Sequence, residues 1–457
     1  MHPLYDIVKR DLRTDVTQMA EEGHDEAALL REVEAAEATG SMDALLRLQE
    51  DLWRRPSPPG FPFDEPSDWE TISGAFPDAE SHARFAGTDA DLSGRLLGAW
   101  HGRCVGCQLG KPLEGVTWPA SIKEALEAVG SWPLIDYVNP APPAGAGTKL
   151  AENAFFKESC RSTLARGLFN CVAPDDDILY AMVSQRVLED FGPGFSSEQA
   201  LGKLIELVPI STLYAAGRSM YRAGIFGLKP PHTAVYGNPC RQSLGAQIRC
   251  DPWGWGAPAN PALAARMAYT DAANSQVRNG IYSGIFFSVL MADTLAHGDP
   301  VRAVATATAY VPPRSRFADM VRFVTAECAG QDDWETVNAA VYARYPEFAR
   351  RFNHSIPNAA IVLLALLKGE GDFTRTVGIA VMAGLDTDCN GATAGSIMGC
   401  ALGAGGIPSH WTAPLNDTIR SQVKDMPEVR ITEMARRLCE AARANVRRTG
   451  IGKRRHG

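Results

Sequence analysis

Long apolar runs are missing from this chain of 457 residues: the longest, AAIVLLALL from Ala359 to Leu367, falls well short of the roughly twenty residues that a membrane-crossing helix needs. No membrane role is expected. Positive charge is also in short supply, since 45 Lys and Arg against 53 Asp and Glu leave a formal net charge of −8, whereas a nucleic-acid binder draws much of its affinity from clustered cations. The basic end, with Arg447, Arg448, Lys453, Arg454 and Arg455, reads as a solvated tail. Ten cysteines contain one close pair, Cys104 and Cys107, and no second pair that would complete a zinc site. The chain opens on His2, Pro3 and charged residues with no leader pattern, so reduced thiols in a cytoplasmic protein are expected. Alternating strand patterns rich in Val, Ile and Thr are scarce, which excludes a sheet-built fold.

What is present is helix. Residues 1–55 are rich in Glu, Ala, Leu and Arg at helical spacing, and they read as two or three amphipathic helices that serve as cover, oligomer contact or partner site. The breaker-rich RRPSPPGFPFDEP lies within a linker or strap over residues 56–90. A main domain is expected from 91 to 457, with helix, short loop, helix recurring nearly to the end. Its first helix carries Gly94, Gly98, Gly102, Gly106 and Gly110 at every fourth position, a single stripe that costs roughly 1 kcal/mol per glycine relative to alanine and therefore calls for a helix packed closely against it. Between Pro230 and Pro261, a stretch rich in Gly, Pro, Trp and Asn reads as a long irregular loop.

Two acidic clusters carry the chemistry. In GLDTDCNGATAGSIMG, Asp386 and Asp388 stand two residues apart, so on extended backbone both carboxylates point one way and can hold a hard cation. Asn390 and Gly391 supply turn chemistry, and the small residues beyond them let a helix or a ligand come close. Asp175, Asp176 and Asp177 precede a run in which Leu179, Met182, Val183 and Val187 recur at helical spacing. One Asp suffices to cap a helix. Three adjacent carboxylates repel one another, and without a basic neighbour they call for a metal ion.

These clusters, with Glu114 upstream of them, resemble the ADP-ribosylglycohydrolase family over most of residues 91–420. GLDTDCNGATAGSIMG is similar to the family's GxDTDTNGA block. GRCVGCQLGKPLEG is similar to its GDALGxPxE block and places Glu114 on the family's acidic residue. PDDDILYAM is similar to its TDDT block, in a register that puts Asp175 on the first Thr and retains Asp176 and Asp177; one residue earlier, Pro174 would stand there. The resemblance implies an all-α orthogonal bundle with two magnesium ions in a central cleft, held by Asp175, Asp176, Asp177, Asp386, Asp388 and Cys389, with Glu114, Asp176 and Asp177 as catalytic groups. Cys389 replaces a Thr or Ser ligand, a soft partner for magnesium that leaves room for manganese. In ANSQVRNG, Gln276 replaces a histidine of the cleft. Gln276, Arg249, Asn390 and Gly391 are the expected substrate-binding residues, with Arg249 facing a phosphate. Phe155, Phe156, Trp253, Trp255 and Tyr282 are candidates for stacking on a base ring, although side chains of this kind more often serve core or loop packing.

The implied activity is metal-dependent hydrolysis of a ribosyl glycosidic bond, releasing ADP-ribose or a related ribosyl nucleotide from a protein or from a small nucleotide-derived metabolite. Two alternatives stand beside it: a non-catalytic ribosyl-binding or structural descendant of the family, and a helical magnesium and diphosphate isoprenoid enzyme.

Overall fold

The computed structural model describes residues 3–77, 85–140, 164–346 and 351–451. Phe155, Phe156, Lys453, Arg454 and Arg455 lie outside the described residues, as do the side chains of Arg447 and Arg448. Helix follows helix throughout, and the two strands among the described residues are the short antiparallel pair Thr418–Arg420 and Glu428–Arg430. No described helix is long and apolar enough to cross a membrane.

At the centre lie two helices, Asp89–Gly110 and Thr387–Leu402. Thr88 starts the first with a capping box, its hydroxyl accepting from Asp91 N while the Asp91 carboxylate accepts from Thr88 N. The helices run antiparallel with their backbones in contact. A Cβ on Gly102 would stand 1.9 Å from the Gly395 carbonyl oxygen, one on Gly106 1.9 Å from that of Gly391, and one on Gly399 2.0 Å from that of Gly98. The glycine stripe thus meets a second stripe, Gly391, Gly395 and Gly399. Gly94 is the exception, with open space where its Cβ would be. The seam places the end of the first helix, Gly110, against Thr387 and Asp388 at the start of the second.

Apolar helices enclose the pair. Asn279–His297 and Ser355–Lys368 are buried over almost their whole length, and Phe373–Met382, capped by Asp372, packs beside Thr387–Leu402. Between Pro230 and Pro261, where an irregular loop was expected, the chain forms short helical turns, His232–Val235, Gly245–Arg249 and Asp251–Trp255. Trp253 and Trp255 are fully buried there, so packing and not ring stacking on a ligand explains them.

The N-terminal segment forms three helices, Pro3–Glu21, Glu26–Ala38 and Met42–Arg54, with a small apolar core that includes Leu12, Val33 and Leu45. It meets the rest of the protein through buried polar contacts and through the edge-on packing of Trp53 against Tyr236. Asp15 pairs with Arg241, Gln242 donates to Glu22 at 2.9 Å, and Arg351 and His354 reach Glu21 at 3.4 and 3.2 Å. The strap adds Glu65, gripped in bidentate fashion by Arg316, and the Pro66 carbonyl, which accepts from the Tyr282 hydroxyl. Tyr282 is therefore a tether for the strap.

The seam is directly testable. Gly106→Val forces a branched side chain into the Gly391 backbone and is expected to cost about 3 kcal/mol or more, whereas Gly94→Ala, with space available, is expected to stabilise by roughly 0.5–1 kcal/mol. Denaturation midpoints of the two variants check both signs.

Candidate active site

Where the glycine seam ends, three stretches of chain converge. The first helix passes through a tight turn, Lys111–Leu113, to Glu114. Asp176–Phe191 begins beside it, with Asp175 as N-cap accepting from Asp177 N at 2.8 Å. The third stretch is the loop before Thr387–Leu402. Gly384 and Leu385 both take positive φ, +95° and +59°, and the Leu385 amide donates to the Thr117 carbonyl at 2.8 Å. Left-handed backbone at a leucine is strained, and such strain clusters at functional sites. Its effect here is to turn Asp386 inward. Although Asp386 stands at the N-cap of its helix, its side chain makes no capping bond; its carboxyl lines the cavity against that of Asp388.

That cavity, about 140 Å³, is lined at its base by Glu114, Asp176, Asp386, Asp388 and Cys389, and around its walls by Tyr180, Tyr214, Ser243, Leu244, Phe352 and Asn353, among others. Ligand oxygens of Asp175, Asp176 and Asp177 lie within 4.8 Å of one another, as do those of Glu114, Asp175 and Asp388, and those of Asp177 and Asp388 with the sulfur of Cys389. Asp388 Oδ1 is buried and has no hydrogen-bond partner among the described residues. Such a donor set, carboxylate-rich with one oxygen unsatisfied, fits a hard divalent cation.

The acidic residues do have basic neighbours, which corrects the expectation that they lack them. Arg103, fully buried on the glycine helix, donates to the Asp177 carbonyl at 2.6 and 2.9 Å and reaches Asp177 Oδ1 at 3.2 Å, Asp251 at 2.6 Å and the Ile248 carbonyl at 2.6 Å. Lys111 Nζ lies 2.8 Å from Glu114 Oε2 and 3.6 Å from Asp388 Oδ2, and it touches Asp175 Oδ2. In sequence both bases belong to GRCVGCQLGKPLEG, far from the aspartates; the helix seam brings them together.

Burial is the first cause that raises the carboxyl groups of Asp176, Asp177, Asp386 and Asp388 above the usual carboxylate range; neighbouring carboxylates add to it, while Arg103 opposes it at Asp177 and Lys111 at Asp388. Burial and the Asp388 charge push Glu114 up to about 7. Burial likewise pushes the Cys389 thiol well up, and that thiol donates to Asp177 Oδ2 at 3.0 Å. Cys389 therefore serves here as a hydrogen-bond donor to Asp177, with its sulfur beside the carboxylate oxygens of Asp177 and Asp388.

The four residues expected to bind substrate stand behind the cavity wall. Gln276 is buried with its amide nitrogen facing the Arg241 and Ser243 carbonyls at 2.8 and 3.0 Å, so it holds the 241–245 segment from beneath. Arg249 is consumed by Asp271, Ser275 and the Gly245 carbonyl. Asn390 donates to Asn358 Oδ1 at 2.9 Å, and Gly391 is part of the seam. Of the residues that do reach the cavity wall, Tyr180 sits inside PDDDILYAM, whose signal lies in its aspartates, while Tyr214 and Asn353 carried no motif. Asn358, which braces the loop by accepting from both Asp386 N and Asn390 Nδ2, was equally silent, since a lone Asn in an apolar helix gives no sequence signal.

The raised carboxyl groups have a consequence for stability. The folded site binds more protons than the unfolded chain between about pH 4 and about pH 7, so without metal its contribution to stability falls as pH rises through that range. A divalent ion binds the ionised forms and opposes the loss. The stabilisation by magnesium is expected to grow from about pH 4 to about pH 7, reaching about 2.7 kcal/mol where the ion is in hundredfold excess over Kd; thermal scans with magnesium and with chelator read it as a rise in Tm.

No curated protein matches the chain. Among solved structures, a chain of an ADP-ribosylglycohydrolase-related protein complex has the same fold, with a TM-score of 0.51 and 18% identity over 78% of this chain and 99% of that one. The family model for ADP-ribosylglycohydrolase matches residues 88–447, a span that takes in the glycine seam, all three acidic stretches and the cavity. On that match the chain belongs to the ADP-ribosylglycohydrolase family.

Proposed function

We propose that this protein is a metal-dependent hydrolase of a ribosyl glycosidic bond that releases ADP-ribose, or a related ribosyl nucleotide, from a protein side chain or a small nucleotide-derived metabolite. The observation that carries the reading is the meeting of Glu114, Asp176, Asp386 and Asp388, drawn from three distant stretches of chain, on the base of one cavity. A bond to C1 of ribose breaks through an oxocarbenium-like centre, which needs nearby negative charge, an oriented water and a positioned sugar diol. Asp176 and Asp386 supply the charge at the cavity base. Glu114, half-exposed at its edge, is placed to take a proton from an attacking water. A bound magnesium or manganese ion, held among Asp175, Asp176, Asp177, Asp386 and Asp388, supplies a grip on hydroxyl oxygens and lowers the pKa of water.

The cavity size supports a division of the ligand. Its volume of about 140 Å³ is below the ~300–1,000 Å³ of a site that encloses a whole drug-sized molecule, so the ribose enters and the rest of the nucleotide lies across the rim, where Tyr214 and Phe352 are exposed. Family membership removes the isoprenoid alternative, and the buried carboxylates weigh against a purely structural descendant because each is costly to keep.

The test is a panel of ADP-ribosyl conjugates and NAD-like dinucleotides, assayed with magnesium and with chelator. Ribosyl release with metal alone is the expected result, and binding without turnover would leave the protein a non-catalytic member. Asp386→Ala and Asp388→Ala are each expected to lower turnover by at least a hundredfold with the helical circular dichroism unchanged. Full activity in either variant overturns the site.

A further inference from the structure

The base of the cavity has three groups of oxygen or sulfur ligands close enough to share an ion, and one of them already surrounds a positive charge. Lys111 Nζ is 2.8 Å from Glu114 Oε2, 3.6 Å from Asp388 Oδ2 and in contact with Asp175 Oδ2. Those three residues are themselves one of the groups whose ligand atoms lie within 4.8 Å of one another. The ammonium and a divalent ion would have to share the same oxygens, and a divalent ion such as magnesium binds them at about 2.0–2.1 Å. Two cations that close repel strongly at a buried position.

The lysine is also anchored where it is. Its backbone follows Gly110, the last contact of the seam, where a Cβ would stand 2.2 Å from the Thr387 carbonyl oxygen and where the Thr387 hydroxyl donates to the Gly110 carbonyl at 2.9 Å. The seam therefore fixes the root of the side chain beside Asp388. Carboxylates of Asp175, Glu114 and Asp388 face the ammonium there. A separate observation marks a position that Lys111 does not fill. Asp388 is buried, yet its Oδ1 has no hydrogen-bond partner among the described residues, and Asp386 directs no capping bond to its own helix.

We infer that Lys111 is a built-in counter-cation of the centre: its ammonium fills the position formed by Glu114, Asp175 and Asp388, so that the protein takes a single divalent ion, among Asp176, Asp177, Asp386 and the remaining oxygen of Asp388, in place of the pair that the family resemblance implies. The inference rests on the metal-dependent reading given above. It makes Lys111 a positioning residue, holding Glu114 and Asp175 in the arrangement that a second ion would otherwise impose. It also implies that the ion count follows from a residue one step beyond the glycine stripe and not from the acidic motifs.

Isothermal titration of the metal-free, full-length protein with magnesium, and separately with manganese, tests it. The wild type is expected to bind one ion per chain and Lys111→Ala two. Two ions in the wild type, or one in both proteins, overturn the inference while leaving metal dependence intact; no ion in the wild type overturns both. Circular dichroism reports whether the variant is folded. Should it not be, anomalous scattering from wild-type crystals soaked in manganese decides the matter: one peak away from Lys111 Nζ supports the inference, and a peak enclosed by Glu114, Asp175 and Asp388 overturns it.

Discussion

Contact between two helix backbones, with no side chain between them, is the constraint on which the rest of this structure depends. Helices normally pack about 8–10 Å apart, spaced by their side chains. Here glycines face glycines along Asp89–Gly110 and Thr387–Leu402, and the carbonyl oxygens of one helix occupy the places where Cβ atoms of the other would be. The register of the seam follows from that fit, because a slip of one residue would drive side chains into backbone. A fixed register in turn delivers Lys111 and Glu114 on one side, and Asp386 and Asp388 on the other, to the same end of the pair.

Charge at that end is arranged in layers. Arg103 neutralises Asp177 from within the core and ties it to Asp251, while Asn358 positions the loop backbone through neutral amide bonds. Around the cavity base, Asp176 and Asp386 have no such close basic partner among the described residues. Buried charge that is paired contributes to a defined geometry, and buried charge that is unpaired is costly unless a ligand compensates for it. The contrast between Asp177, which is gripped, and Asp386, which a strained turn brings to the cavity against Asp388, separates the residues that shape the centre from those exposed to whatever binds there.

Much of this was legible in the chain itself. The glycine spacing announced a close helix contact, the acidic triplet Asp175 to Asp177 stood where a helix begins, and the acidic pair Asp386 and Asp388 stood out from any packing requirement. What could not be read is of a different physical kind. Lys111 and Arg103 look like ordinary surface bases until the seam fixes their neighbours, because ion pairing across distant segments leaves no local pattern. Gln276 and Arg249 sit close to the cavity along the chain, yet their hydrogen bonds are spent on the wall behind it. Proximity in a motif indicates the neighbourhood of a side chain; its direction is set by tertiary partners.

The N-terminal helices bear on the autonomy of the rest. Arg241, Arg316 and Arg351 are buried, and each is balanced chiefly by an acidic or amide group from residues 15–65: Asp15 for the first, Glu65 for the second, Glu21 and Gln18 for the third. Arg241 and Arg351 flank the segments 243–245 and 352–353 that wall the cavity, and Arg316 reaches Gln242 beside the first of them. A fragment cut to the limits of the family match would keep all three guanidinium groups and lose the acidic groups that pair with them. The charge balance of the cavity wall thus reaches beyond the span of the family match, into the first three helices.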